Sequence, residues 1–331
     1  MDPLTHGVAS FALQRAFFPR LPWRTVFVII GAGVVADVDS LSAALSPTKY
    51  LQWHRSATHS LLFVFILATA AFLFARFAKS ETMRGLTVVA VATASLLHLF
   101  LDIFQCDFLT PFWPVTHPRV ALDVLPSIEP WLLTILVSAI AFPELFRLVS
   151  DEIGARSKQP RGRNGAIVGL TLALLYLGLR ALLHANTIAS LGAHTIAGET
   201  PHRVGAFPDS TSPFIWHSIV ETESALNLVN MRSMGGEVSY ASSVTTLHKP
   251  ELSPMLAAAQ GSDAAVAFVR VARFPKATVQ ARTEGSIVEI QDLRDQASEE
   301  KSRSILAEIK LNKNSRVVSS ELLWLNSANA R

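Results

Sequence analysis

The sequence predicts an α-helical multi-pass membrane bundle, of about five spans plus a short N-terminal helix, followed by a β-rich α+β domain outside the membrane. Hydrophobic residues make up 50% of the 331 residues and charged residues only 17%, an unusual balance for a soluble protein. The apolar residues are concentrated in long runs up to about residue 184. Beyond that point the sequence has the mixed polarity of an ordinary water-soluble chain.

The predicted spans follow from the length of the apolar runs, because crossing a hydrocarbon layer of about 30 Å takes roughly 20 helical residues. A shorter run at 4–18 predicts the N-terminal helix, and Arg15 within it argues against a cleavable signal peptide. Asp37 and Asp39 interrupt the first span, and Pro143 is expected to kink or end the fourth. The predicted spans are 26–45, 61–78, 86–104, 131–149 and 165–183.

Lysine and arginine are distributed unevenly over the predicted loops, and cytoplasmic loops of membrane proteins carry the excess. The segments 15–24, 76–84 and 147–163 are rich in these residues, whereas 46–60 and 105–130 hold three between them. We therefore expect the rich segments in the cytoplasm of a bacterium, with the chain in its inner membrane. The sparsely basic loops and everything after residue 184 are expected on the periplasmic or extracellular side.

Charge and cysteine content exclude two kinds of binding site. The net charge is only +3 and the basic residues are scattered in short loops, which excludes a nucleic-acid surface. Cys106 is the single cysteine, so an intrachain disulfide and a cysteine-based metal cluster are excluded as well. Any metal ion must therefore be held by nitrogen and oxygen ligands.

Residues 185–331 are predicted to form a separate β-rich domain, which leaves residues 1–184 as the membrane domain. The runs at 265–280 and 285–293 alternate valine and isoleucine with polar residues and are predicted as strands. Segment 299–311 fits a short helix or a strand, and its pattern does not decide between them.

Ionisable side chains inside apolar spans are the functional signal, since each costs about 2.5 to 3.5 kcal/mol on insertion scales and is retained where it has a partner or a task. His98 and Asp102 are four apart on the third predicted span and project from one helix face. They suit two ligands of one metal ion, or a histidine paired with a carboxylate of its own helix. Asp37 and Asp39 either converge on one centre where the first span unwinds or cap its end.

Two further histidines, His54 and His59, lie in the sparsely basic loop before the second span, on the same predicted membrane face. Ligand-type residues from distant segments therefore meet at one face, which predicts a centre for a divalent metal ion. Zinc is the expected ion, with Mn or Mg as alternatives, and such an ion permits hydrolysis at neutral pH. Arg55 is expected to bind an anionic group such as a phosphate, or to anchor the chain at the lipid headgroups.

Three carboxylates remain as candidates for further roles in this centre. Asp39 or Asp123 is expected to act as the general base that removes a proton from the attacking water. Asp123 and Glu129, in the second sparsely basic loop, are also candidate metal ligands. The division between ligand and base is not fixed by the sequence.

The motifs "MDPLTH", "ADVDS", "HRSATHS", "HLFLD" and "RVALDVLPSIEPW" resemble the YdjM-like family of predicted inner-membrane metal-dependent hydrolases. The downstream "FPDSTSPFIW", "VARFPKATVQ" and "IVEIQDLRD" resemble the extension of longer members. The family's histidine-then-aspartate pattern is distantly similar to that of zinc-dependent phospholipases C, which implies phosphoester hydrolysis. Glu129 stands where many members have aspartate. The resemblance implies a metal centre formed by His6, Asp37, Asp39, His54, His59, His98, Asp102 and Asp123.

Three functions are compatible with these features. The leading hypothesis is a membrane-embedded hydrolase that acts on an ester or phosphoester of a lipid or envelope component. The second is a transporter or metal-handling protein, although the candidate ligands gather at one face and do not continue across the membrane. The third is a scaffold whose exported domain binds a partner while the polar cluster holds the helices together.

Overall fold

A computed structural model of the chain describes residues 1–76, 81–152, 162–196, 198–234, 237–240, 244–297 and 304–325. It divides into two compact units. The first comprises Met1–Ser40 and Trp53–Leu182, and the second comprises Leu41–Gln52 and Leu183–Arg331. A boundary between membrane and exported domains at residues 184 and 185 stays a prediction.

The described part of the first unit is mainly helical, with a non-helical segment at 104–129, and two of its helices begin at side-chain caps. The Asp2 carboxylate accepts a hydrogen bond from the Thr5 N–H at 2.9 Å, and the Ser60 hydroxyl accepts one from the Phe63 N–H at 3.2 Å. The helices up to residue 193 are α1 (Pro3–Phe17), α2 (Trp23–Ala32), a 3-10 helix (Val35–Ala44), α3 (Pro47–Trp53), a 3-10 turn (Ala57–His59), α4 (Leu61–Ala75), α5 (Glu81–Ile103), α6 (Pro130–Glu152) and α7 (Arg163–Ala193).

Two described helices, α5 and α7, are each long and apolar enough to cross a membrane. The number rises to four if each of two bent helix pairs forms one broken span. One pair joins α2 to the following 3-10 helix with a 48° bend, and the other joins Pro47–His59 to α4 with a 55° bend. The apolar helix Pro130–Leu145 is shorter than a span. The structure thus supports two to four spans and does not confirm about five.

The predicted spans differ from the helices at three places. The span predicted at 26–45 is two helices, because the chain changes direction after α2 and continues as a 3-10 helix that carries both aspartates. In the span predicted at 61–78 the helix ends at Ala75 with Arg76 as its C-cap, and residues 77 and 78 lie outside the described residues. Pro143 does not end α6, which continues to Glu152. Of the basic residues used to predict orientation, Lys79, Arg156, Lys158 and Arg161 lie outside the described residues.

Small residues let the helices of the first unit pack closely. Ala9, Ala12 and Ala16 of α1 are buried in one cluster with Leu132 and Leu136 of α6. A second cluster joins α2 to α5 through alanines, valine and isoleucine. Large apolar side chains on the outer faces stay exposed in both spanning and bent helices. An apolar exterior over a small-residue interior is the arrangement expected of helices in lipid.

The second unit contains two antiparallel sheets. In the first sheet the strand order is β1-β2-β3-β4, and β5 also pairs with β3. In the second sheet the order is β6-β7-β8-β9. The elements are β1 (Arg203–Pro208), β2 (Ile215–Glu221), β3 (Ala225–Met234), β4 (Glu237–Tyr240), β5 (Thr245–His248), α8 (Pro254–Gln260), α9 (Asp263–Val269), β6 (Pro275–Arg282), β7 (Gly285–Asp292), α10 (Leu293–Ala297), β8 (Ile305–Asn312) and β9 (Val317–Trp324).

The strand predicted at 265–280 is wrong up to residue 274: residues 265–269 belong to α9, and β6 begins only at Pro275. The Ser262 hydroxyl caps this helix by accepting from the Ala265 N–H at 3.4 Å, and Ala264, Ala265 and Phe268 form its buried face. A run of alanine, valine and phenylalanine fits the periodicity of a helix as well as that of a strand, and the Ser262 cap favours the helix. The strand predicted at 285–293 matches β7, and the described part of 299–311 contains β8.

The segment Leu41–Gln52 leaves the first unit and packs within the second. The rings of Tyr50 and Trp324 meet edge to face with centroids 5.5 Å apart, and Leu51 packs beside the same apolar cluster. The chain leaves the first unit just after Asp39 and returns to it just before His54. Both ends of this excursion therefore carry residues that the sequence assigns to the metal centre.

Candidate metal centre

The centre forms where α5 faces the break after α2 and the 3-10 turn before α4. His98 and Asp102, one helical turn apart on α5, are both fully buried. His59 ends the turn that the Ser60 cap fixes at the start of α4, and it is also fully buried. Asp37 lies in the first turn of the 3-10 helix that follows α2. The structure thus brings together ligand-type residues from three separate segments.

Hydrogen bonds at Nδ1 fix the orientation of the His98 and His59 rings relative to the centre. His98 Nδ1 lies 2.9 Å from the carbonyl oxygen of Gly33, and His59 Nδ1 lies 3.0 Å from Oδ2 of Asp39. A carbonyl oxygen and an ionised carboxylate only accept, so Nδ1 donates in both rings. In the neutral imidazoles, Nε2 therefore carries the lone pair and points at the centre.

Three acceptor atoms face one another at the middle of the site. Nε2 of His59 and Nε2 of His98 are 3.2 Å apart, and Oδ2 of Asp102 lies 3.1 Å from the first and 3.5 Å from the second. Lone pairs at such distances repel unless a proton or a metal cation lies between them. Ligand atoms around a tetrahedral zinc ion are about 3.3 Å apart, because bonds of about 2.0 to 2.1 Å meet at tetrahedral angles. The residues therefore fit a divalent metal ion.

Asp37 supplies a further oxygen to this group. Its Oδ1 lies 3.7 Å from Nε2 of His59 and 3.8 Å from Nε2 of His98. Its Oδ2 is buried and has no hydrogen-bond partner among the described residues. A buried carboxylate oxygen without a donor is unfavourable by itself, which again indicates a cation.

His6, on α1, also belongs to the group and contacts both His98 and Asp102. Its ring stacks on that of His98 with centroids 3.8 Å apart, and its Nε2 lies 3.1 Å from Oδ1 of Asp102. The amino nitrogen of Met1 donates to the same oxygen at 2.6 Å. One ligand atom from each of His6, Asp37, His98 and Asp102 lies within 4.8 Å of the others.

Asp39 organises the segment before α4. Its Oδ2 accepts from the Arg55 N–H at 2.8 Å, the Thr58 hydroxyl at 2.6 Å and His59 Nδ1 at 3.0 Å. Its Oδ1 accepts from His54 Nδ1 at 2.9 Å. His54 thus contacts Asp39, and Asp39 in turn contacts His59, whose Nε2 is one of the three central acceptors. It places Asp39 behind His59, where a carboxylate orients a ligating imidazole.

Arg55 is buried beside Asp102, with its backbone in the left-handed region at φ 56°. Its Nη2 lies 3.7 Å from Oδ2 of Asp102 and also donates to the Gln105 side chain, and its Nη1 donates to the Asp107 carbonyl oxygen at 3.1 Å. Left-handed non-glycine residues are strained and cluster at functional sites. The Arg55 guanidinium is buried, whereas an arginine that anchors a chain at the lipid headgroups is exposed.

The two carboxylates of the second loop belong to residues with different contacts. Asp123 is buried, has a left-handed φ of 58°, and donates its N–H to the Gln105 carbonyl oxygen at 3.2 Å. Glu129 accepts from the Tyr176 hydroxyl at 2.9 Å and from the Trp131 N–H at 3.2 Å. Neither residue belongs to the group formed by His6, Asp37, His98 and Asp102.

Sequence reasoning missed two residues that contact residues of the centre, and it missed a buried arginine of α7. Gln105 contacts Arg55, and the Gly33 carbonyl oxygen orients His98. Arg180 is fully buried in α7 and donates from Nε to the Val124 carbonyl oxygen at 3.2 Å. The cost of an arginine inside an apolar span was a usable signal for Arg180. The contact between His98 and the Gly33 carbonyl oxygen could not be predicted from the sequence, because any residue has a backbone carbonyl.

A family model described as YdjM inner membrane protein matches residues 1–187. The match covers more than half of the chain and confirms the resemblance seen in the sequence motifs. It includes every residue of the candidate centre. No curated protein and no solved structure matches the chain significantly.

Proposed function

The chain belongs to the YdjM inner membrane protein family, and on this premise we propose that it is a membrane-embedded, metal-dependent hydrolase. The substrate we propose is an ester or phosphoester of a lipid or envelope component at the outer face of the membrane. One observation carries the proposal: Nε2 of His59, Nε2 of His98 and Oδ2 of Asp102 lie 3.1 to 3.5 Å from one another, the spacing of ligand atoms around one metal ion.

In this proposal His59, His98, Asp102 and Asp37 hold a divalent ion, with zinc favoured by the nitrogen and oxygen donors and Mn or Mg as alternatives. When bound, such an ion polarises a carbonyl or phosphoryl oxygen and makes water acidic enough to react near neutral pH. The protein's own part is to keep Nδ1 protonated on both imidazoles, so that Nε2 faces inward. Burial of the ligand atoms keeps bulk water from competing for them.

Arg55 is proposed to hold the anionic group of the substrate, because its guanidinium lies beside Asp102 and is fixed from behind by Gln105 and Asp107. A guanidinium held in one plane can donate two parallel hydrogen bonds to a phosphate. Asp123 remains the proposed general base. Asp39 is already surrounded by four donors, which favours a positioning role over proton transfer.

The test is turnover by the detergent-purified protein on one phosphodiester and one carboxylester, before and after chelation and after Zn²⁺ or Mn²⁺ is restored. We expect activity that chelator removes and metal restores. His59→Ala and Asp102→Asn should reduce it at least about 100-fold, the upper end of what changes outside the ligand shell produce. His248→Ala, an exposed histidine of β5, is the matched control and should keep full activity.

Two other outcomes would replace this proposal. Bound metal without turnover on any ester would favour a transporter or metal-handling protein. A protein that binds no metal and hydrolyses nothing would favour a scaffold in which the polar cluster only holds helices together.

A further inference from the structure

The loop between α5 and α6 exposes apolar side chains on one turn, Phe112–Val115, which we call the apolar turn. Phe112 is 51% exposed and Val115 is 86% exposed, and Pro114 between them is exposed as well. Large apolar side chains grouped on a protein surface mark a contact with another protein, a ligand or a membrane. The apolar turn is therefore a candidate contact surface outside the metal centre.

Backbone hydrogen bonds hold the apolar turn in this conformation. Leu109 and Val120 each donate their N–H to the carbonyl oxygen of the other, at 3.1 and 3.0 Å, and so close the loop at its base. Within the turn, the Val115 N–H donates to the Phe112 carbonyl oxygen at 3.0 Å. These bonds satisfy backbone groups of the loop while the apolar side chains remain outside the core. The exposure of Phe112 and Val115 thus follows from the fold of the loop.

The apolar turn continues the exposed apolar surface of α4. The Leu61 N–H at the start of α4 donates to the Pro111 carbonyl oxygen at 2.9 Å, so the turn adjoins the beginning of this helix. The helix belongs to a bent pair that is apolar enough for a membrane span, and its Phe65 side chain is 68% exposed. Exposed apolar faces of helices in an inner membrane protein lie against lipid. The surface formed by α4 and the apolar turn therefore favours membrane lipid as the partner.

The position of the turn also fits the boundary of the bilayer. Irregular backbone exposed to lipid is not tolerated within the hydrocarbon, because its amide groups would lack partners. It is tolerated at the end of a span, where acyl chains meet hydrated headgroups. A loop at the start of α4 lies at such an end, so its apolar side chains can contact acyl chains while its backbone stays hydrated.

One residue connects the base of this loop to the metal centre. The Arg55 carbonyl oxygen accepts from the Thr110 N–H at 3.2 Å, and Arg55 Nη1 donates to the Asp107 carbonyl oxygen at 3.1 Å. Nη2 of the same guanidinium lies 3.7 Å from Oδ2 of Asp102. A phospholipid carries its anionic phosphate next to its acyl chains, and a guanidinium binds phosphate well. An apolar surface beside Arg55 and the centre matches that order of groups.

We propose that the apolar turn docks in the outer leaflet of the bilayer and that the substrate is a lipid phosphoester of that leaflet. The acyl chains contact Phe112 and Val115, and the phosphate is directed to Arg55. The inference rests on the proposed function and narrows it, because it selects a bilayer lipid over a soluble envelope component. The contact between the turn and lipid can be measured without any turnover.

The first test measures whether Val115 contacts lipid. Val115→Cys in a Cys106→Ala background is labelled with bimane and reconstituted in vesicles of phosphatidylethanolamine and phosphatidylglycerol. We expect lipids with a nitroxide near the top of the acyl chain to quench its fluorescence. Val318→Cys, an exposed valine of β9, is the matched control and should be quenched only by iodide in the water. A Val115→Cys label that iodide quenches and lipid nitroxide does not would overturn the docking surface.

The second test compares two phosphodiesters with the same leaving group in the same vesicles. The hexadecyl ester of p-nitrophenyl phosphate enters the bilayer, and the methyl ester stays in water. The ratio of kcat/KM for the hexadecyl ester to that for the methyl ester should fall at least about 10-fold in Phe112→Ser, Val115→Ser, because both side chains lose their contact with lipid. Val318→Ser should keep the wild-type ratio.

The two measurements separate this inference from the proposed function. An unchanged ratio in the double variant would overturn the lipid phosphoester as the substrate and leave the hydrolase intact. Quenching of the Val115→Cys label without turnover of either ester would overturn the hydrolase and its lipid substrate, while the lipid contact of the turn would stand. If the double variant does not fold, Val115→Ser alone repeats the comparison.

Discussion

At the scale of single residues, the centre depends on what lies behind its ligands. Asp39 fixes Nδ1 of His59, and the Gly33 carbonyl oxygen fixes Nδ1 of His98. Both contacts select the tautomer whose Nε2 can bind a cation. Only the first can be altered by substitution, since the second comes from the backbone. A substitution of Asp39 therefore tests the orientation of the His59 ring without removing a proposed metal ligand.

Asp39→Asn is expected to weaken metal binding by about 10- to 100-fold while the protein stays folded, because the amide no longer enforces protonation of Nδ1 in His59. Metal affinity is measured by chelator competition, and the tautomer of His59 by nitrogen chemical shifts of labelled histidine. Asp263→Asn, in the first turn of α9, is the control and should change neither. Unchanged affinity in Asp39→Asn would show that its carboxylate does not position His59.

At the scale of elements, α7 and the start of α6 are joined by a buried polar contact. The Tyr176 hydroxyl donates to Glu129 at 2.9 Å, and Arg180, one turn later, donates to the Val124 carbonyl oxygen at 3.2 Å. Glu129 is the last residue before α6 and is buried. We infer that these contacts tie the loop at 105–130 to α7.

Tyr176→Phe is expected to lower the free energy of unfolding by about 1 to 3 kcal/mol, because it leaves a buried carboxylate short of a donor. The thermal midpoint in detergent measures this effect, and metal content is measured on the same samples. We expect a lower midpoint with unchanged metal content. Loss of the metal in Tyr176→Phe and in Glu129→Gln would instead make Glu129 part of the centre.

In the second unit, the buried carboxylate of Asp292 at the end of β7 likewise connects two segments by hydrogen bonds. Burial alone would raise the pKa of its carboxyl group, but the Arg294 guanidinium and the N–H groups of Arg273 and Arg294 lower it below its usual value. Its carboxylate accepts from the Arg273 N–H at 2.8 Å, the Phe274 N–H at 3.1 Å and Arg294 Nε at 3.0 Å. These contacts hold the chain before β6 to the end of β7.

The lowered pKa of Asp292 determines how its contribution to stability changes with pH. The stabilisation is complete above the unfolded-state pKa of about 3.9 and is lost as the pH falls through the lower folded-state pKa. Hydrogen exchange of residues 275–292, corrected for intrinsic rates, should show protection that falls below about pH 4. Asp292→Asn should be less protected at pH 7 and should lose less on acidification. Parallel profiles for the two proteins would contradict the role of this carboxylate.

At the scale of the whole molecule, the second unit constrains the topology. Leu41–Gln52 packs in one compact unit with the chain after Leu183. We therefore expect both segments on the same side of the membrane. The distribution of basic residues predicts that this is the periplasmic or extracellular side. The ends of the Leu41–Gln52 segment adjoin Asp39 and His54, so the centre is proposed to face the same side.

Lys49→Cys and Leu252→Cys, each made in a Cys106→Ala background, test this topology. Both should react with a membrane-impermeant maleimide in intact spheroplasts, and Arg84→Cys should react only after lysis. Labelling of Lys49→Cys and Leu252→Cys on opposite sides would contradict the compact second unit. Labelling of both only after lysis would reverse the proposed orientation.

Local periodicity made part of the centre predictable. His98 and Asp102 share a helix face because they are four residues apart, and the sequence reveals this directly. The contacts of Asp39 were not predictable, since they depend on how the 3-10 helix after α2 meets the turn before α4. Arg180 could have been singled out as an arginine inside an apolar span, but its acceptor, the Val124 carbonyl oxygen 56 residues away, could not be predicted. The run at 265–280 was misassigned because its composition fits both periods.

The most direct test of the central claim is X-ray absorption at the zinc edge on the detergent-purified protein. We predict nitrogen and oxygen ligands at about 2.0 to 2.1 Å with the outer-shell scattering of imidazole. The double variant His59→Ala, His98→Ala should lose the bound zinc. Wild-type protein that binds no divalent ion, as purified or on titration, would contradict the account.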